Sequence, residues 1–412
     1  MLFKPVIRVT VFAIIGYGFA AASCMGLMGL ASYFYAGAFF MNAITVLALI
    51  MTIFWIKKFK IGQRDLKIAL PIFSWVLIFS LFNFILMVAN PGFYADLAFK
   101  YLVSTILILF SCILLQVLSK SRRDLDNVST NIFLIGFILS ALAVIIDPIV
   151  NIRSMVPTFE TNLYERTRAG GFYLQPNIAG AVLPIYFAML VPRLSRVWLI
   201  PLAMLLVLAS VLTFSRSSMG LTAIVLTAAM FFGRIPIWPM LLASPVLFIF
   251  GADLNIVDDL KHNFNIDGGS GLVRLQNLVN FTTLFDVGRD LRVDLAADAR
   301  REFLRSPIVG YGPGYSWAWA DRVGQGTHNI YLRHMLEYGF LGILIWTTLM
   351  WLFFKLRQPL LPISWAVTIF AMSLVVGLFS HNLTEQSSIL LTLAAAYFLP
   401  MPRREYRNEP PL

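Results

Sequence analysis

The residues most able to do chemistry fall in one stretch, residues 289–342. A glycine-rich run containing Gly312 is followed by His328 and Asn329, with Tyr331 on the same predicted helical turn. A histidine beside arginines can take a proton from a hydroxyl while the arginines bind an anion. We therefore predict a site for group transfer to a hydroxyl; the alternative is a histidine that is only packed or hydrogen-bonded.

Arg216 stands between two apolar runs with almost no connecting loop, and Ser215 and Ser217 flank it. A guanidinium near a membrane needs an anionic partner, carbonyl groups or water, because it cannot be neutralised. Hydroxyl donors and the N–H groups of a helix start favour a phosphate as that partner. We therefore predict a phosphate clamp here, with a snorkelling arginine as the alternative.

Three more arginines and a second histidine are further candidates for the same site. Arg289 and Arg292 lie one turn apart, so both can face the same way; we favour Arg292 and interpret the other as a solvated charge paired with an aspartate. Arg168 either joins the anion site or marks the membrane interface, and His381 is a weaker candidate at another corner. The acidic residues show no metal-binding spacing, so we predict no metal and no other cofactor, with arginines stabilising charge instead.

The elements that must position these residues are apolar runs that recur along the whole chain. The chain is 59% hydrophobic and 13% charged, which excludes a soluble globule. The runs are long enough to cross ~30 Å of hydrocarbon as helices. We predict an all-α polytopic membrane protein, one transmembrane domain over residues 1–412 with about twelve helices. The predicted spans lie near residues 9–30, 36–56, 68–89, 97–118, 128–150, 171–192, 197–214, 217–233, 235–252, 329–354, 360–380 and 384–400.

Lysine and arginine occupy every second short connection, which predicts that both termini are cytoplasmic. These loops hold most of the excess positive charge of +11, so that charge does not indicate a nucleic-acid partner. The other connections, which carry every candidate named above, then face outward. Among them is a long insert over residues 253–328, between the ninth and tenth spans, in which residues 294–305 are predicted to form a helix on the outer rim.

Together these motifs resemble the O-antigen ligase family, within the O-antigen ligase and polymerase superfamily. The resemblance covers roughly residues 168–342 and rests on three linked segments: residues 213–217 (Thr-Phe-Ser-Arg-Ser), residues 306–314 (Ser-Pro-Ile-Val-Gly-Tyr-Gly-Pro-Gly), and residues 328–332 (His-Asn-Ile-Tyr-Leu) with 337–342. The family's functional residues match Arg216, His328 and, by spacing, Arg292, and more loosely Arg168 and Asn177. One departure is Ala296, where an aromatic is often found, so Arg289 stays an alternative to Arg292.

The resemblance implies a GT-C-like glycosyltransferase that works without a metal at the periplasmic face of the bacterial inner membrane. Its donor would be a glycan linked to undecaprenyl pyrophosphate. The acceptor would be lipid A-core for a ligase, a second lipid-linked repeat for a polymerase, or a protein hydroxyl for an O-oligosaccharyltransferase. The single long insert fits a ligase. In the implied mechanism Arg216 and Arg292 hold the pyrophosphate and His328 accepts the proton of the attacking hydroxyl.

Two other classes of protein compete with this interpretation. A lipid or small-molecule transporter would also span the membrane many times, but it should carry charges along its spans rather than at one face. A scaffolding membrane protein would explain the spans but not the arginines that converge with a histidine.

Overall fold

The computed structural model describes residues 3–27, 30, 63–89, 126–156, 168–213, 215–236, 291–324, 326–380, 383 and 386–401. For Arg216 and Arg292 it describes the backbone alone. The spans predicted over 36–56 and 97–118 lie outside the described residues, as does the span predicted over 235–252 from residue 237 onwards.

All regular structure in these residues is helical, as the sequence predicts. The helices are α1 (Phe3–Cys24), α2 (Gln63–Ala89), α3 (Asp126–Val150), α4 (Pro176–Leu190), α5 (Arg196–Leu212), α6 (Arg216–Phe231), α7 (Leu291–Phe303), α8 (Tyr315–Val323), α9 (Ile330–Tyr338), α10 (Gly342–Leu356), α11 (Ile363–Phe379) and α12 (Ser387–Phe398). Short 3₁₀ helices cover Ile152–Met155, Gly171–Tyr173 and Gly339–Leu341. α7 and α8 lie within the predicted insert, and α7 is the helix predicted over 294–305.

Two described stretches are long and apolar enough to cross a membrane, Asp126–Val150 and Ile330–Leu356, and shorter apolar helices accompany them. The second stretch is not one straight rod. A Cβ added to Gly342 would come within 2.0 Å of the His334 carbonyl oxygen, whereas eight residues of continuous helix would separate the two by about 12 Å. The chain therefore turns sharply at residues 339–341, and the span predicted over 329–354 is two helices, α9 and α10.

The main hydrophobic core surrounds α4. Every residue of this helix is buried except Asn177 in its first turn. Helices α3, α5, α6, α11 and α12 pack around it, α1 packs on α3 and α12, and the apolar side chains of all these helices form one continuous cluster. A helix that is apolar on all sides must be covered on all sides, so Asn177 marks the one end of α4 where the protein keeps a polar surface.

The helix directions follow from contacts at their ends. Asn177 at the start of α4 accepts a hydrogen bond from Ser215 at the start of α6, and beyond their other ends Arg234 Nη2 donates to the Leu194 carbonyl at 2.6 Å, so α4 and α6 run parallel. The Phe232 ring, just after α6, packs on Trp365 near the start of α11 at a centroid distance of 5.5 Å. Helix α11 is therefore antiparallel to α6, and its last turn lies near Arg216.

These directions give the bundle two different ends. The site end holds the starts of α4, α6 and α9 and the last turns of α3, α5 and α11. The opposite, basic end carries five described cations in the connections or helix termini: Arg193, Arg196, Arg234, Lys355 and Arg357. Several cap helix C-termini there; for example, Arg193 Nη2 donates to the Leu399 carbonyl at 2.7 Å. These five basic residues thus lie at the end of the bundle away from the candidate residues.

Candidate active site

The loop before α4 and the turn before α6 meet through a network of polar side chains. Arg168, 7% exposed, donates from Nε to the Thr213 carbonyl at 3.0 Å and from Nη2 to Asn177 Oδ1 at 2.8 Å. Ser215 Oγ lies 3.3 Å from the same Asn177 oxygen and 2.9 Å from Ser217 Oγ. The structure thus brings together Arg168, Ser215 and Ser217, three residues that the sequence predicts for one site.

Asp147, in the last turn of α3, fixes the segment that carries Arg168. Its carboxylate accepts hydrogen bonds from the backbone N–H groups of Gly170 at 2.7 Å, Gly171 at 3.0 Å and Ile152 at 2.8 Å. Burial of the side chain, which is 5% exposed, strengthens these charge-assisted bonds. The sequence analysis missed this residue, although an acidic residue at the end of a long apolar run is a signal that could have identified it.

The start of α6 presents donors towards this network. Ser215 is the N-cap in an extended conformation, but its hydroxyl makes no cap hydrogen bond. Arg216 is therefore the first residue of a helix whose leading N–H groups have no side-chain cap. Ser218 Oγ is buried and makes no hydrogen bond within the described part of the chain. The N–H groups at this helix start, unlike the fully buried Ser218 hydroxyl, are suited to bind an anionic ligand.

His328 lies directly before α9 in a conformation that is unusual for a residue with a side chain. Its φ is +51°, in the left-handed region. The flanking residues impose this geometry: Thr327 Oγ1 donates to the Asn329 carbonyl at 3.0 Å, and Asn329 Oδ1 accepts from the N–H groups of Tyr331 at 2.9 Å and Leu332 at 3.1 Å. Backbone strain held by its surroundings is frequent at functional sites. Asn329 is thus the N-cap that orients His328. Its role in substrate binding stays a prediction.

Tyr331 connects this segment to the site end of the bundle. Its hydroxyl donates to the Leu374 carbonyl of α11 at 3.0 Å, and its ring lies against Gly377. The start of α9 therefore packs on the C-terminal half of α11, the half that also faces the start of α6. Two segments about 110 residues apart in the chain, at Ser215 and His328, thus share one end of the bundle.

The glycine-rich run packs against the protein rather than forming an open cradle. The N–H groups of Tyr311 and Gly312 donate to the carbonyls of Leu336 and Glu337, both at 2.9 Å. Gly310 has a φ of +72°, and a Cβ there would lie 2.5 Å from the backbone of Glu337. A glycine is required for this close approach. The predicted role of Gly312 in substrate binding stays a prediction, since its backbone donor is used within the protein.

A buried ion pair joins α8 to α9 behind His328. Arg333 and Glu337 are 1% and 0% exposed, with Nε and Oε1 3.6 Å apart. Ser316 of α8 donates to Glu337 at 2.5 Å and accepts from Arg333 Nε at 3.1 Å. The sequence analysis used Glu337 only as part of a motif and did not identify the pair. Its burial implies that the position of α9, and with it His328, depends on this network.

A second cluster holds the end of α7 to α8. The Tyr315 hydroxyl donates to Glu302, and Arg322 Nη2 donates to that hydroxyl at 2.6 Å. The Tyr311 and Tyr315 rings stack with their centroids 4.1 Å apart. Burial, aided by the bond to Glu302, raises the pKa of Tyr315 to about 12. The described part of the insert, with α7 and α8, therefore packs with α9 around a small apolar core.

Helices α7 and α9 run in the same direction, which places Arg292 near His328 along the axis. At their C-terminal ends Phe340 N donates to the Pro307 carbonyl at 2.8 Å, and a Cβ on Gly339 would meet the Ile308 carbonyl. Arg292 is the second residue of α7, so its backbone belongs to the end of this pair where His328 precedes α9. Arg289 and His381 lie outside the described residues.

No group of three or more histidine, cysteine, aspartate and glutamate side chains placed to hold a metal occurs among the residues that the structure describes. The charged groups described at the site end are Arg168 and Asp147, with Arg333 and Glu337 behind the start of α9. Guanidinium and N–H groups of this kind can bind an anion, and His328 lies at the same end of the bundle.

The described residues form a helical bundle with a polar site at one end, and its apolar helices are consistent with a membrane protein. A family model described as O-Antigen ligase matches residues 201–347, a segment that contains Arg216, Arg292 and His328. This match supports the O-antigen ligase and polymerase superfamily and so confirms the resemblance seen in the sequence. Members of this family are membrane enzymes that transfer glycans. No curated protein matches the chain.

Proposed function

We propose that this protein is an O-antigen ligase that transfers a glycan from undecaprenyl pyrophosphate to lipid A-core at the periplasmic face of the inner membrane. The observation that carries the proposal is the meeting of Ser215, Arg168 and the start of α9 at one end of the bundle, opposite the basic end. With the positive residues in the cytoplasm, the site end faces the periplasm, where lipid-linked glycans are transferred in this superfamily.

The proposed reaction is a direct inverting displacement. The acceptor hydroxyl oxygen attacks the anomeric carbon, the bond from that carbon to the pyrophosphate oxygen breaks, and the pyrophosphate leaves with the electron pair. His328 accepts the hydroxyl proton. Arg216 and Arg292 stabilise the negative charge that develops on the leaving group, with Arg168 positioning Asn177 and Ser215 beside them.

The proposal is tested by the lipopolysaccharide profile of cells in which only a variant is present. Arg216→Ala and His328→Ala, expressed at wild-type level, should leave rough lipopolysaccharide without O-antigen, because loss of one such contact costs on the order of 10²-fold or more in rate. Arg301→Ala is the control, since Arg301 is an exposed arginine paired only with Asp298 among the described residues. Complete O-antigen ladders from either site variant would remove that residue from the mechanism.

Polymerase and protein O-oligosaccharyltransferase activities are the alternatives within the superfamily. A deletion strain separates them: unligated lipid-linked polymer of normal length supports a ligase, whereas single capped repeats support a polymerase. A transporter is disfavoured by the described residues, because their buried charged side chains lie at helix ends or on α9 rather than midway along a span.

A further inference from the structure

A small cavity of about 40 Å³ lies between α8 and the segment that leads into α9. One aromatic ring, one guanidinium and four small residues line it: Trp317, Arg333, Ser316, Ala320, Gly326 and Thr327. Thr327 is the residue directly before His328. The cavity therefore adjoins the backbone that carries the proposed proton acceptor, on the side of α8.

The size and lining of this cavity match an exocyclic arm of a sugar. A group the size of a water molecule needs roughly 10–15 Å³, so the cavity takes about three such groups and is too small for a pyranose ring. The Trp317 ring offers an apolar wall, and the Arg333 guanidinium, 5.5 Å from the ring centroid, carries N–H groups that can donate to a hydroxyl oxygen. A CH₂OH group, with one carbon and one hydroxyl, fits both the volume and the chemistry.

The cavity and the start of α6 lie on different sides of α9. Tyr331 bonds to α11, whose last turn lies near the start of α6, whereas Arg333 bonds to Ser316 of α8. Two residues of helix correspond to a rotation of about 200°, so α11 and α8 contact nearly opposite faces of α9. His328 directly precedes this helix, at the end where both sides begin.

This arrangement separates the two substrates of the proposed reaction. In an inverting displacement the acceptor oxygen attacks the anomeric carbon from the side opposite the departing pyrophosphate oxygen. The pyrophosphate is assigned to the start of α6, so the acceptor approaches from the side of α8, where the cavity lies.

We propose that the cavity between α8 and α9 binds the exocyclic CH₂OH group of the acceptor hexose and thereby directs the attacking hydroxyl of that sugar towards His328. The inference rests on the proposed function, since it takes the reaction to be inverting transfer of a glycan to a sugar hydroxyl. It makes Trp317 and Ala320 specificity-determining residues for the acceptor, with no part in binding the donor.

The test compares lipid A-core that ends in a hexose with an analogue that ends in the corresponding pentose, which lacks the CH₂OH group. The wild type should have an about ten- to hundredfold lower KM for the hexose acceptor, the effect of a hydrogen bond to a charged group. Ala320→Leu fills the cavity and should remove most of this preference without changing the KM for the donor. Ala318→Leu is the matched control, because this alanine is also half-buried on α8 but does not line the cavity, and it should keep the wild-type preference.

Binding of the two acceptors in the absence of donor gives a measurement that does not depend on transfer. The wild type in lipid nanodiscs should bind the hexose acceptor more tightly by a similar factor, and this comparison needs no substitution, so it decides the question even if Ala320→Leu is unstable. Equal affinity of the wild type for both acceptors, or a preference unchanged in Ala320→Leu, would overturn the proposal while glycan was still transferred, as expected if the cavity holds only water. A binding preference that Ala320→Leu removes, without transfer to either acceptor, would instead count against the proposed function and support the cavity as a sugar site.

Discussion

The buried pair of Arg333 and Glu337 gives the most direct link between the packing of α9 and the proposed chemistry. Glu337→Gln keeps the shape of the side chain and an acceptor for Ser316, but it removes the negative charge that lies 3.6 Å from Arg333 Nε, in a pair whose side chains are 1% and 0% exposed. Breaking a buried pair by removing one partner costs about 3–5 kcal/mol. We therefore expect a decrease of about that size in the free energy of unfolding, together with loss of glycan transfer because α9 carries His328 at its start.

The assay is titration of the purified protein with a denaturing detergent, followed with a thiol-reactive dye. Cys24 is a free cysteine, buried in α1, and reports unfolding in a Cys112→Ala background. Asp298→Asn is the matched control: it breaks an i,i+3 pair whose side chains are 76% and 47% exposed, and exposed pairs contribute about 0.2–1 kcal/mol. Arg333→Met combined with Glu337→Leu should be less destabilised than Glu337→Gln, since the double substitution removes both buried charges of the pair. A Glu337→Gln protein as stable as Asp298→Asn would refute this reasoning.

Three further predictions concern the supports of the site. Gly310→Ala should destabilise the protein much more than Gly324→Ala. Both glycines have positive φ values, but only at Gly310 would the added Cβ overlap backbone atoms. The melting temperatures of the two variants check this prediction, and an equal decrease in both would contradict it. Asp147→Ala should lower the free energy of unfolding by about 1–3 kcal/mol for each backbone N–H left unsatisfied, and it should also reduce glycan transfer. The same unfolding titration measures the loss of stability, with Asp321→Ala on the exposed surface as a control. The pKa of the Tyr315 hydroxyl is about 12 in the folded protein and about 10 in the unfolded chain, so the folded state holds this proton more tightly. The protonated hydroxyl therefore contributes to stability in full below about pH 10, and the contribution is lost as the pH rises towards 12. Tyr315→Phe should remove that part of the alkaline loss of stability, and an unchanged pH profile would argue against the assignment.

The helical class, the approximate helix boundaries and the grouping of Arg168, Ser215 and Ser217 could be predicted from the sequence. In a membrane protein a long apolar run predicts a helix, because the backbone must satisfy its own hydrogen bonds in lipid. Alternate basic connections placed the candidate residues at one face, and the described helix directions do put Ser215 and His328 at the same end of the bundle.

The sequence could not predict how the glycines and buried charges are used. A glycine-rich run has the same composition whether it approaches a ligand or, as at Gly310, the backbone of Glu337. The break between α9 and α10 lies at Gly339 and Gly342, and a span predicted from hydropathy alone runs through these glycines because it does not take account of turn residues. The roles of Asp147 and Glu337 depend on partners from other helices, which only the tertiary structure identifies.

The central claim is that residues far apart in the chain share one outward face of the membrane. Single cysteines at Ser217 and Gly326 report the site end, and a cysteine at Leu360, exposed between α10 and α11, reports the basic end. In intact cells of a variant without Cys24 and Cys112, a thiol reagent that enters the periplasm but does not cross the inner membrane should label the first two positions and leave Leu360→Cys unlabelled until the membrane is opened. Labelling of Ser217→Cys and Gly326→Cys from opposite sides would contradict the account, because no single site could then contain both segments.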